Sequence, residues 1–346
     1  MPIWTQGSGW GEPMVTENPR KITSKPSSRD GLGSPIDLDH LAEEMRPWLQ
    51  EFKTSWALMR SNWTVMSGVF MILFIVIIAI LAPWLAPPTP GANPMEIPKD
   101  LELISAPAPP FIPGHPLGTG DLGADIYYGV IWGTRTTIAT SLIVVLTAAL
   151  VGLIIGAFAG FYRGIIDETL MRFADIFLSL PALILAMAIA SILSRNLENM
   201  MFALTIVWWP AYARLVRGQV LSIKENAYVE AARAVGCSKG RILFRHIVPN
   251  AMSPLIVSIT LDLGAVALTT AALSYIGFGV PTGYAEWGRM VSDGQSWFLG
   301  TIVYEGAKYT PWWVVTFPAL MILIFTMGFS LIGDGLRDIL DPRSRR

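Results

Sequence analysis

Charge is scarce in this 346-residue sequence: Asp, Glu, Lys and Arg together supply 15% of it, against 52% hydrophobic residues. A soluble chain carries roughly 25% charged residues, so the deficit points to lipid as the solvent. The net charge of −1 leaves no overall basic field for a nucleic acid, and no such partner is expected. Cysteine is nearly absent. The single Cys237 excludes an internal disulfide and a thiolate metal cluster. His40, His115 and His246 lie far apart without ligand spacing, so no metal site is expected. No G-x-x-x-x-G-K-[ST] run is present to cradle ATP, and neither H-E-x-x-H nor G-x-S-x-G occurs. The chain is therefore expected to be no enzyme and to hold no cofactor of its own.

What is abundant is apolar sequence in long runs. No cleaved signal is expected, because the first run is too long and too far in. Residues 1–36, rich in Gly, Pro and Ser, read as a disordered cytoplasmic tail. Residues 37–62 place Leu38, Leu41, Met45, Trp48, Leu49, Phe52, Trp56 and Met59 at helical spacing. That predicts an amphipathic helix, either lying on the inner membrane surface or packed as a short soluble helix. Residues 63–343 then form the main domain. About 20 apolar residues cross a bilayer, and six such spans are expected, near 64–85, 136–161, 176–193, 200–212, 251–273 and 312–332. The fourth is short and would need Arg214 to snorkel. With the N-terminus inside, 20 of the Lys and Arg residues fall on the inner side and 5 on the outer, which sets both termini in the cytoplasm.

Within the spans, Gly152, Gly156 and Gly160 recur every fourth residue, a face for close helix packing. Pro181, Pro210, Pro254 and Pro318 predict bends, which suit a gate but also occur in static bundles. Asp262 falls in the middle of the fifth span. A charge there costs about 2.5–3.5 kcal/mol, so it should face the bundle interior or water. It is a candidate translocation-cavity acceptor for an ammonium or hydroxyl, or else a packing group held by hydrogen bonds. The outer loop 274–311 is aromatic, with Tyr284 and Trp287 among its rings. It reads as an interfacial belt or as a surface for a partner.

The most informative segment is Tyr228–Asn250, YVEAARAVGCSKGRILFRHIVPN, on the inner side. With its approach it carries Arg214, Arg217, Lys224, Arg233, Lys239, Arg241 and Arg245. Its Glu230-Ala231-Ala232, Gly236, Ile247 and Pro249 resemble the coupling loop of importer-type ABC transporter permeases. More narrowly, the chain resembles the C-type permease subunit of the dipeptide and oligopeptide importers. HPLGTGDLGADI (115–126), LSYIGFGVP (273–281) with Trp287, and GDGLRDILDPR (333–343) carry the likeness, which spans about residues 52–343.

The resemblance implies an all-α, six-helix type I importer fold in the cell membrane. It implies two ATP-binding cassette ATPases that bind ATP and Mg, a second homologous permease subunit, and an extracytoplasmic substrate-binding protein. Residues 222–246 would form two short helices hinged at Gly236. Glu230, Ala231, Ala232, Arg233 and Gly236 would couple to an ATPase, while Trp287 and Tyr284 would meet the binding protein. Gly120, Ala124 and Thr270 depart from the family's usual Asp, Arg and Glu. Peptides are the cargo the resemblance implies, with oligosaccharides or nickel as alternatives. From a different class, a stand-alone channel or ion-coupled carrier would show inverted repeats and several buried ionisable groups, and neither is evident.

Overall fold

The protein is described here by a computed structural model covering Arg60 and residues 62–340. The tail expected over 1–36 lies outside these residues, as does the amphipathic helix expected over 37–62, except for Arg60 and Asn62. Helix α1 (Trp63–Leu85) opens on Asn62, whose side chain accepts the Thr64 N–H at 3.1 Å. An irregular cap, residues 86–125, follows. Asp125 then caps α2 (Ile126–Tyr162) by accepting the Tyr128 N–H at 2.9 Å. Next come α3 (Gly164–Leu178), α4 (Ala182–Ile192) and α5 (Leu197–Ile223). The segment 227–247 holds α6 (Ala227–Ala234), α7 (Lys239–Arg241) and a π-helical turn (Ile242–Ile247). It leads into α8 (Val248–Ile276), then α9 (Trp287–Phe298) and α10 (Trp313–Leu340).

Among the described residues, four helical stretches are long and apolar enough to cross a membrane: α1, α2, Lys239–Ile276 and α10. The bent pair α3–α4 makes up to five. Six spans were expected, and two of them differ from expectation for physical reasons. The third is not one helix. The axis turns by 87° between Leu178 and Ala182, because Pro181 lacks an N–H and forces the preceding residue out of helical conformation. The fourth is not short. At 27 residues, about 40 Å long, α5 is long enough to cross, though Glu198, Arg214 and Arg217 leave it more polar than the four apolar stretches. Arg214 does not rely on snorkelling alone; it pairs with Asp175 at 2.5 Å, and Arg217 grips Asp167 with two bonds of 2.5 and 2.7 Å. Both acids sit on α3.

One small departure from all-α concerns residues 302–309, which form an antiparallel hairpin of β1 (Ile302–Tyr304) and β2 (Ala307–Tyr309). Glu305 and Gly306 both take positive φ, the geometry of a tight two-residue hairpin turn.

Two apolar cores share α2. One joins the C-terminal part of α2 to α5 and α8 through Val144, Ala148, Tyr212, Val216 and Leu255. The other joins α1, the cap, the start of α2, α9 and α10 through Ile75, Ile131, Trp287, Trp313 and Phe325. The glycine stripe explains the α2–α5 seam. A Cβ on Gly156 would lie 2.3 Å from the Ala213 carbonyl oxygen, and one on Gly152 would lie 2.4 Å from the Tyr212 Cβ. The backbones touch because nothing stands between them.

Candidate coupling site

The segment 227–247 is anchored before it projects. At the C-terminal cap of α5, the Lys224 Nζ donates to the Gly160 and Phe161 carbonyls at 2.8 and 3.2 Å, the exposed carbonyl end of α2. Arg163 pairs with Glu225 at 2.6 Å. Beyond this clasp, between residues 225 and 241, only Val229 is buried. It pins α6 to the first core. Glu230 lies in the first turn of α6 and Arg233 in the last, each at the end of the helix whose dipole favours its charge. Both are exposed, as is Ala231, while Ala232 is half-buried.

Gly236 ends the helix. Its N–H reaches the Arg233 carbonyl at 3.0 Å and the Cys237 N–H reaches the Ala232 carbonyl at 3.1 Å, a Schellman pair. The φ of +82° at Gly236 belongs to the left-handed region, and a Cβ there would meet nothing within 4 Å. Glycine is therefore required by conformation and not by crowding. After it, Ser238 caps α7, but no second free-standing short helix forms. From Lys239 the chain stays helical through the π turn and into α8. Sequence reasoning expected two short helices hinged at the glycine. The structure gives one short helix and one long one, because the apolar Ile242, Leu243 and Ile247 continue into the core. The projecting surface carries an apolar group without cover, Val235, 79% exposed, while Phe244 in the π turn, 62% exposed, meets the edge of Phe158. Such groups mark contact surfaces.

Asp262 lies half-buried in α8, facing the Tyr212 hydroxyl and the Trp208 indole of α5. Both neighbours come from another helix, which the sequence did not reveal, and the buried Tyr212 hydroxyl makes no hydrogen bond among the described residues. On the cap side, Trp287 is fully buried and cannot present a free contact surface, contrary to expectation. Its indole donates to the Val130 carbonyl at 3.1 Å, in the space left by Gly133. Tyr284 is half-buried and bridges by backbone to Glu96. Sequence reasoning also passed over Glu286, buried at the start of α9, which accepts the Gly288 and Arg289 N–H groups at 2.9 and 2.8 Å. Burial pushes its carboxyl up, against the Ser274 hydroxyl and these two donors.

The cap is tied down by its own motif. His115 stands between Asp125 (2.8 Å) and Asp100 (3.3 Å). The Glu102 N–H and His115 hold the Asp100 carboxyl below its ordinary value. Trp313 and Trp297 donate to the Thr119 carbonyl and to Asp121 at 3.1 and 3.0 Å. Among the described residues no cluster of three or more His, Cys, Asp or Glu could hold a metal.

The described residues thus form a helical, multi-span bundle from which a basic element projects. The chain belongs to the family of binding-protein-dependent transport system inner membrane components, whose model matches residues 152–346. A second model, the N-terminal TM domain of oligopeptide transport permease C, matches residues 50–110. The chain is 38% identical over 292 residues to the probable D,D-dipeptide transport system permease protein DdpC of Escherichia coli (strain K12), covering 84% of this chain and 91% of that one. It is 38% identical over 287 residues to the oligopeptide transport system permease protein OppC of Bacillus subtilis (strain 168), covering 83% and 88%. Among solved structures, an inward-facing MetNI methionine ABC transporter chain is 20% identical, with a TM-score of 0.49 over 61% of this chain and 96% of that one. The protein is thus a permease subunit of an ABC importer, and separate subunits hydrolyse ATP.

Proposed function

We propose that this permease moves di- or oligopeptides inward across the cell membrane, with α6 and the Gly236 turn as the part worked by an ATPase. The peptide class rests on the names of the relatives. In this reading six crossings are made by α1, α2, the bent α3–α4 pair, α5, α8 and α10, with both termini in the cytoplasm. The charge asymmetry of the loops supports that orientation. A second homologous permease completes the pathway, a pair of ATPases binds ATP and Mg, and an extracytoplasmic binding protein delivers the solute. Residues 1–36 are a cytoplasmic tail and 37–62 an interfacial helix beside membrane lipid. Asp262 faces the solute path by way of the α5–α8 seam, and Tyr284 lies near the surface that meets the binding protein.

The observation that carries this reading is the exposed inner segment. Glu230, Ala231 and Arg233 form a solvated face that is clasped at its root by Lys224 and leads directly into α8. A partner that pushes on α6 therefore pushes on a membrane helix. Glu230→Lys reverses one charge on this face and touches no core residue. In the reconstituted importer, peptide uptake and substrate-stimulated ATP hydrolysis should fall to background, with insertion unchanged. Wild-type uptake by that variant would end the coupling assignment. Uptake of an oligosaccharide but of no peptide would end the peptide assignment alone.

A further inference from the structure

Arg135 has no acidic partner within ion-pair distance among the described residues, although it lies inside α2 and faces α1. Its contacts are unusual in kind. The Nε donates to the Ala79 carbonyl at 2.6 Å, an Nη donates to the Ile80 carbonyl at 3.5 Å, and the guanidinium stands 5.0 Å over the Trp132 ring. The first contact has a local cause. Pro83 lies inside α1 and has no N–H, so the Ala79 carbonyl, four residues earlier, loses its helical donor. Arg135 supplies the missing bond. Trp132, three residues earlier on the same face of α2, donates to the Ala86 carbonyl at 2.8 Å and closes the end of the same helix.

Carbonyls and an aromatic face lend partial charge, but they leave the full positive charge of the guanidinium uncompensated. In a membrane-spanning region that is costly, and an intramembrane cation is expected to find a counter-charge. The depth suggests which one. Trp63 and Trp84 are 85% and 75% exposed near the two ends of α1. Their separation along the helix is about 31 Å, close to the hydrocarbon thickness, so each ring sits at headgroup level. Helix carbonyls point toward the C-terminal end, which places the guanidinium between the levels of Ala79 and Trp84. Around it Ile80, Leu81 and Trp84 are exposed apolar groups, suited to acyl chains. The anion that a bilayer offers at this level is the phosphate diester, and arginine is the side chain that grips it with paired donors.

We propose that Arg135, at the seam of α1 and α2 beside the cap, binds the phosphate of one membrane phospholipid. The lipid supplies the charge that the protein lacks there, and it joins the proline-weakened end of α1 to α2.

The test is built around Pro83. In Pro83→Ala the Ala79 carbonyl regains its helical donor, so removing Arg135 no longer leaves it bare. The full-length wild type, P83A and the double variant P83A/R135Q would be purified, stripped with detergent and titrated with dioleoyl phosphatidylglycerol. Native mass spectrometry would count the bound lipid. Wild type and P83A should hold one lipid roughly tenfold more tightly than P83A/R135Q, a difference of about 1.4 kcal/mol. Dioleoylglycerol, which has no phosphate, should not be retained, and inorganic phosphate should not displace the phospholipid. Equal retention by P83A and P83A/R135Q overturns the site. Displacement by inorganic phosphate reduces it to a plain anion site and overturns the lipid assignment. Release of the lipid from the wild type when a partner permease is added assigns the counter-charge to a protein carboxylate, and overturns it as well.

Discussion

Gly236→Val is expected to abolish ATP-driven uptake while the membrane bundle stays folded. Two observations separate those effects. The φ of +82° lies where a side chain costs about 1–2 kcal/mol, and a β-branched one is worse placed still. Yet a Cβ at this position meets nothing within 4 Å, so no neighbour is pushed and no core is disturbed. The strain is relieved by turning the chain. That breaks the Schellman bonds from Gly236 and Cys237 and re-aims α6, whose only buried anchor is Val229. A helix of eight residues, anchored by Val229 and the half-buried Ala232, is too short to resist such a turn. The check is peptide uptake and coupled ATP hydrolysis in vesicles, beside thermal unfolding of the purified chain. Gly236→Asn is the internal control, because asparagine tolerates the left-handed region and should recover most of the activity. If Gly236→Val transports like the wild type, the aim of α6 is irrelevant to the cycle.

Gly156→Leu is expected to do the opposite and prevent folding. Here the φ is ordinary and the space is gone. The new Cβ would stand 2.3 Å from the Ala213 carbonyl oxygen and 2.9 Å from the Val216 Cβ, and the backbone of α5 cannot step aside. Overpacking a core costs about 1–3 kcal/mol where side chains can adjust, and more where the obstacle is backbone. A domain is stable by only about 5–15 kcal/mol. Since α2 carries both cores, separating α2 from α5 opens the first and loosens the second. The yield of monodisperse protein and its unfolding midpoint should both collapse, with Gly156→Ala intermediate. Gly218, on α5 but facing open space, should accept alanine without loss. A stable, monodisperse Gly156→Leu would show that the seam is not packed as described.

These two glycines also mark what the sequence alone could reveal. A glycine at the end of a short charged helix and glycines at every fourth residue of a span are local patterns, and each has one physical reading. Features set by distant partners were illegible. Arg214 looked like the snorkelling end of a span and Arg217 like a loop charge, because their acids lie on α3, 39 and 50 residues away. Trp287 looked like a surface ring, because its acceptor Val130 is 157 residues away. Arg135 counted only as one of the five outer charges, because its contacts depend on a proline in another helix. Pro181 did announce a bend, but nothing near it gives the angle, which depends on how α4 packs against α5. Asp262 lies in α8, and its neighbours Trp208 and Tyr212 come from across the seam.

The wide turn at Ile242–Ile247 separates the projecting element from the membrane part of its helix. A π turn holds one residue more than an α turn of the same rise. This stretch is therefore slack stored in the drive shaft. Deleting a residue there would tighten the coil without breaking it, and would swing everything on the N-terminal side by about 100° about the axis. Over evolutionary time, single-residue gain or loss at this spot offers a permease a way to re-index itself to a differently shaped motor while the bundle in the bilayer stays untouched.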